Sequence, residues 1–303
     1  MSEKIVSRKY VLREFSQVGL ILILYALFAL YIPYIIEKYI DLSTIPYINN
    51  IFSDSMLTIR IICICFASLF PFLALYLSDK KNYNLSKISL SLKDRFAYAV
   101  VFISFISFVV YISGSILTFF GIETTVLTDI GLPINTHYFN NFLYMGIYIC
   151  VLPILEEFAF RKVLLNTLSK YGDRFAILTC SLIYAFAHCN IAEFIPSLFM
   201  GYLLSKIYLK FRSFSYVSFV HVLYNLIMFL AMAVDEQYNI FVFILLLAIM
   251  LIALILIISK KFNFISLPHA DFNKNTFWMF LSCKSVILSL LMFITFAIIQ
   301  IVL

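Results

Sequence analysis

The sequence predicts an all-α polytopic membrane protein of about eight or nine transmembrane helices, and three observations predict it. Hydrophobic residues make up 63% of the 303, charged residues only 13%, and the mean hydropathy is +1.01. An ordinary soluble domain is about one quarter charged. Apolar stretches close to the roughly 20 residues that a spanning helix needs recur along the whole chain. Lysine and arginine concentrate on alternate connections between those stretches. Length alone would accommodate about two soluble domains, but the segments between apolar runs are too short to fold separately.

Taken in order, spans are predicted at 18–37, 56–78, 96–120, 139–160, 175–189, 194–210, 214–233, 239–259 and 283–302. Lys4, Arg8, Lys9 and Arg13 precede the first. It is too long for a signal-peptide core and no small-residue cleavage site follows it, so it reads as a retained span. Residues 79–95 are polar and read as a loop with an interfacial helix ending at Lys93, Asp94 and Arg95; residues 121–138, around Gly121, Gly131 and Pro133, read as a loop on the other side. The fifth and sixth spans are short, and Cys189 to Glu193 makes a tight connection between them. This divides the chain into N-terminal transmembrane helices (1–138), a core (139–233) and C-terminal transmembrane helices (234–303). There is no internal repeat, and interrupted helices do not recur in two halves as they do in many secondary transporters.

Orientation follows from the basic residues, which favour cytoplasmic connections. Segments 1–17, 79–95, 161–174, 206–212 and 260–284 carry 20 of the 22, and only Lys38 and Arg60 fall elsewhere. The opposite connections hold Glu37, Asp41, Asp54, Glu123, Asp129, Glu193, Asp235 and Glu236. The N-terminus is therefore expected in the cytoplasm. The abundance of Ile, Phe, Tyr, Asn and Lys suits an AT-rich bacterial genome, so the expected location is the bacterial plasma membrane. The net charge of +6 reflects helix ends rather than a dense basic run, so nucleic acid is not an expected partner. The six cysteines lie in or beside apolar runs without a C-x-x-C pair or a disulfide framework, and read as packing residues.

Within these apolar runs three polar pairs stand out. Glu156 and Glu157 are adjacent, with Arg161 following; Tyr184/His188 and His221/Asn225 are each spaced by four. Ionisable groups at such depth cost roughly 2.5–3.5 kcal/mol each on insertion scales, so they usually face the protein interior and serve a function there. Residues four apart share a helix face, so Glu157 can pair with Arg161 while Glu156 points elsewhere without a local partner. A paired carboxylate is held ionised, whereas a desolvated unpaired one can exchange protons near neutrality. Glu156 is therefore the expected base and the Glu157–Arg161 pair the scaffold. One carboxylate to activate water, imidazoles to hold it and donors for an oxyanion are what a hydrolase needs. The bland alternatives are that EExxxR is the charged end of a helix at the interface, anchored by Arg161 and Lys162, and that each histidine is a satisfied interhelical hydrogen-bonder. The remaining histidines, His137 and His269, lie in a loop and near the tail.

The three motifs together resemble the CPBP family of intramembrane proteases, which includes the CAAX prenyl endopeptidases and bacteriocin-processing or self-immunity proteins. EExxxR is matched by Glu156, Glu157 and Arg161, FxxxH by Tyr184 and His188 with tyrosine for phenylalanine, and HxxxN by His221 and Asn225. Gly201 and Ser205 stand where the family has a glycine-bearing helix, with serine where a second glycine is common. The resemblance implies a CAAX-protease-like helical core around a conical intramembrane cavity. In it Glu156 activates water with His188, and His221 and Asn225 form the oxyanion hole. Glu157, Arg161 and Tyr184 are implied as supporting residues. The expected substrate is a hydrophobic or lipid-modified peptide or protein segment, met within the lipid bilayer, in peptide maturation or bacteriocin self-immunity.

No cofactor is the favoured reading. Zn²⁺ held by Glu156, His188 and His221 is the alternative, but HExxH is missing and Arg161 is a competing cation. Two other functions remain open: a non-catalytic membrane partner, binding a sensor kinase or exporter on the same fold, and a small-solute transporter using the carboxylates as a proton relay. One tension concerns reach. His188 lies about 20 Å along its helix from Phe175, but Glu156 only about 8 Å from Arg161, so the fifth span must tilt or start below the membrane surface.

Overall fold

A computed structural model describes residues 8–40, 55–78, 91–121, 145–233, 239–259 and 274–302. Among them the chain is helical and contains no strand. The helices are α1 (Arg8–Tyr39), α2 (Ser55–Ser78), α3 (Leu92–Phe119), α4 (147–169), α5 (Asp173–Ala187), α6 (Ile191–Phe211), α7 (Phe214–Ala233), α8 (Asn239–Ile258), α9 (Lys274–Leu281) and α10 (Lys284–Val302). The expected loop 121–138, apart from Gly121, lies outside the described residues, as do His137 and His269.

Three helices, Arg8–Tyr39, Thr58–Ser78 and Leu92–Phe119, are long and apolar enough to cross a membrane alone. Lys274–Leu281 and Lys284–Ile299 pass together as a pair bent by 71°, and Phe214–Leu230 and Ile244–Ile258 are shorter apolar helices. The helical class stands, and among the described residues the helices are this mixture of full, bent and short ones. Many large apolar side chains face outward, among them Leu245, Ile255, Leu288 and Ile298, as lipid-facing surfaces require.

The first span is longer than expected. α1 begins at Arg8, because apolar residues set among the polar ones before Val18 continue its buried face: Val11, Phe15, Val18, Leu22, Tyr25 and Ala26 are all buried. The expected interfacial helix within 79–95 falls on residues 79–90, which lie outside the described residues, and its expected end at Lys93, Asp94 and Arg95 belongs to another helix. α3 starts there, with Ser91 as its N-cap accepting from the Asp94 amide at 3.1 Å, the serine cap that satisfies an orphan donor of the first turn.

Proline shapes two helices in the same way. It cannot donate to the carbonyl four residues back, and its ring crowds that carbonyl. Pro33 and Pro153 each follow a widened π turn, Leu27–Tyr31 and Ile147–Val151, that takes up the misfit. A third π stretch, Glu157–Leu165, carries the acidic motif; such widened turns are frequent at functional positions.

Glycine lets two helix pairs approach closely. A Cβ on Gly19 of α1 would lie 2.4 Å from Ser285 Oγ and 2.5 Å from the Val286 backbone nitrogen on α10. Gly19→Ala should therefore push α1 and α10 apart and destabilise the protein by about 1–3 kcal/mol, the usual range for overpacking, read as a lowered unfolding midpoint in detergent. On α6, a Cβ on Gly201 would sit 3.0 Å from Ser181 Cα and 3.3 Å from the Tyr184 ring, so Gly201 is what allows α6 to lie against the motif-bearing face of α5.

α4 resolves the question of reach. Its helix does not stop near residue 160 but continues to Ser169, so Glu156 stands about 20 Å from the turn that follows. α5 retraces that rise from Asp173 to Ala187, about 21 Å, which brings His188 to the level of Glu156. No unusual tilt is needed.

Candidate active site

α4 turns its two glutamates to different surroundings. Glu157 is fully buried; its Oε1 lies 3.0 Å from Arg161 Nη1 and 2.8 Å from His221 Nδ1. Arg161 is also fully buried and stacks its guanidinium carbon 4.3 Å from the centre of the Tyr184 ring. None of its nitrogens has an aligned hydrogen-bond partner, so the ion pair and the ring face together offset the loss of water. The interfacial-anchor reading of EExxxR is thereby corrected. Arg161 points into the bundle, and only Lys162 turns to the helix ends, against Tyr76 and Phe214 at 5.1 and 5.2 Å.

Glu156 is 21% exposed and lines a cavity of about 490 Å³. His188, His221, Asn225 and Tyr184 line the same cavity. All four expected catalytic residues are therefore brought together, while Glu157 and Arg161 sit behind the wall. Glu156 does have a partner, contrary to expectation: the Tyr184 hydroxyl donates to its Oε2 at 2.8 Å. Spacing along one helix could not reveal a contact made across 28 residues. The tyrosine that departs from the phenylalanine pattern thus places its hydroxyl on the candidate base. His221 Nε2 lies 4.0 Å from the same oxygen.

The two imidazoles are oriented differently. His188 Nδ1 is 2.8 Å from the carbonyl oxygen of Tyr184. A carbonyl only accepts, so Nδ1 carries the proton and Nε2 is left as an acceptor. Tyr184 therefore orients His188 through its backbone, while its ring meets the imidazole edge-on at 4.7 Å. His221 Nδ1 faces the Glu157 carboxylate, which likewise only accepts, so this nitrogen is the donor. The partner of His221 is Glu157 rather than Asn225; Asn225 contributes by lining the cavity.

Sequence reasoning missed the charged residues higher in the cavity, Arg60 and Glu193. Arg60 pairs with Glu37, both about half exposed. Its signal was present: it is one of only two basic residues that break the alternation of charge. A second groove of about 680 Å³, lined by Phe108, Phe186, Phe194 and Phe293 among others, adjoins this cavity at Asn190 and contains no acid, base or imidazole. Among the described residues no group of three or more His, Cys, Asp and Glu side chains is placed to hold a metal ion. Glu156, His188 and His221 converge on the cavity without forming such a set.

Residues 138–227 match the family model described as Type II CAAX prenyl endopeptidase Rce1-like. The match is consistent with a CPBP family intramembrane protease. The match contains all three motifs and with them Glu156, His188, His221 and Asn225, and it supports an intramembrane endopeptidase acting on peptide substrates within a membrane. Among curated proteins and among solved structures nothing matches the chain.

The Tyr184 hydroxyl allows a clean test. Tyr184→Phe restores the motif residue and removes one hydrogen bond to Glu156. Hydrogen bonds to charged groups contribute about 1.5–3 kcal/mol to stability, so the unfolding midpoint should fall, and the cleavage rate of the protein that stays folded should drop as Glu156 loses the contact that positions it. An unchanged rate would show that the hydroxyl is not needed to position Glu156.

Proposed function

We propose that the protein is a glutamate-type intramembrane endopeptidase of a bacterial plasma membrane. The observation that carries this reading is the gathering of Glu156, His188, His221 and Asn225 around one cavity, with Glu157 and Arg161 buried behind it. Glu156 takes the proton from a water molecule. His188 Nε2 accepts that water's second hydrogen and aims its lone pair at the peptide carbonyl. Water adds to the carbonyl carbon, and the tetrahedral oxyanion is met by Asn225 Nδ2 and by His221. For Nε2 of His221 to donate, both ring nitrogens must carry protons, with Nδ1 directed at the Glu157 carboxylate. Glu156 then passes its proton to the leaving nitrogen as the C–N bond breaks.

The substrate in this reading is a hydrophobic or lipid-modified segment. Its apolar end would lie in the groove that joins the cavity at Asn190, and its processing would serve peptide maturation or self-immunity. The N-terminus lies in the cytoplasm. The competing reading is a non-catalytic partner that keeps the fold. Glu156→Ala separates the two: complementation of a deletion strain should fail if turnover is the function, whereas a scaffold should still complement it.

A further inference from the structure

We infer that the active-site cavity opens on the extracytoplasmic side of the membrane, so that the enzyme acts on polypeptide ends and loops presented from outside rather than on cytoplasmic tails. The inference rests on the peptidase reading for its chemistry and on the placement of charge for its direction.

The helices around the cavity contribute from alternating halves of their length. α1 contributes Tyr25, Ala29 and Leu30 from its second half, and α2 contributes Arg60 and Ile64 from its first. α3 contributes Ile106 and Val110 from its second half, and α6 contributes Glu193, Pro196 and Ser197 from its first. Because neighbouring helices run in opposite directions, these halves lie at one end of the bundle. At the other end the cavity is closed by aromatic packing: Phe160 meets Tyr25 and Phe72 at 5.8 Å each and Tyr184 at 5.0 Å, and below these Glu157 and Arg161 are fully buried.

The closed end is the basic one. Arg8, Lys9 and Arg13 begin α1, Lys93 and Arg95 begin α3, Lys210 and Arg212 end α6, and Lys274 and Lys284 begin α9 and α10. The open end carries Lys38 and Arg60 against Glu37 and Glu193. Basic flanks stay in the cytoplasm during insertion. The closed floor therefore faces the cytoplasm and the mouth, with its Arg60–Glu37 pair, faces outward. A hydrophobic segment reaches Glu156 only from the extracytoplasmic side.

Thiol labelling tests this without requiring turnover, so its outcome is separate from that of the peptidase reading. The full chain, with its six cysteines replaced by serine or alanine, would carry one cysteine as Arg60→Cys or Lys93→Cys. Both sites are exposed. A membrane-impermeant maleimide would be applied to intact cells and to inverted vesicles, with detergent-solubilised protein giving full labelling. Position 60 should be labelled in intact cells and shielded in inverted vesicles, and position 93 the reverse. Glu37→Cys, at the same mouth, should behave as position 60 does and covers the case in which Arg60→Cys misfolds. Labelling of position 60 from the cytoplasmic face, labelling of both positions from one face, or labelling of position 60 from neither face would overturn the inference.

Discussion

Glu156→Gln should lower the rate of peptide cleavage by about a thousandfold, within the 10²–10⁴ that a positioned general base contributes, while leaving the fold intact. Glutamine keeps the size of the side chain and can still accept from the Tyr184 hydroxyl, but it cannot take a proton from water. Glu156 is partly exposed to the cavity and forms no close ion pair, so its charge is not needed for packing. The measurement is the initial rate of purified protein on a quenched hydrophobic peptide, with the unfolding midpoint recorded alongside. Glu157→Gln should behave in the opposite way, losing folded protein first, because Glu157 is the buried counter-charge of Arg161 and the partner of His221.

The second large effect is on stability. Arg161→Met should destabilise the protein by about 3–5 kcal/mol, because removing one partner of a buried pair leaves the other uncompensated. Against a typical total of about 5–15 kcal/mol, most of the margin disappears. The methionine also loses the stacking on Tyr184. The double variant Glu157→Gln/Arg161→Met should recover much of the loss, since replacing both members of a buried pair by neutral groups is often tolerated. It should nevertheless remain poorly active, because His221 would lose the carboxylate that orients it. Chemical unfolding of the single and double variants in detergent checks both statements.

Much of the site was legible because helices impose a fixed repeat. Four-residue spacing put Glu157 beside Arg161 and Tyr184 beside His188, and both pairs stand in the structure. It also separated the two glutamates, one buried and one facing the cavity. Contacts between helices were not legible in that way. The Tyr184 hydroxyl on Glu156 and His221 on Glu157 join residues 28 and 64 apart in the chain, and no local period encodes them. Helix ends were read least well, for a physical reason: a hydropathy window sees the apolar centre and stops at the first charge. Thus the helix of Glu156 seemed to end near Arg161, although that arginine is turned inward and the helix runs on to Ser169. α1 likewise extends back to Arg8 through residues whose polar face is outward.

The most direct test of one cavity acting as one catalytic unit is the cleavage rate of Glu156→Gln, His188→Ala and the variant combining both. If the carboxylate and the imidazole handle the same water, the combined variant should be about as slow as Glu156→Gln alone, because residues that act together are not additive. Two losses that multiply, or a Glu156→Gln protein as fast as the unaltered chain, would contradict the account.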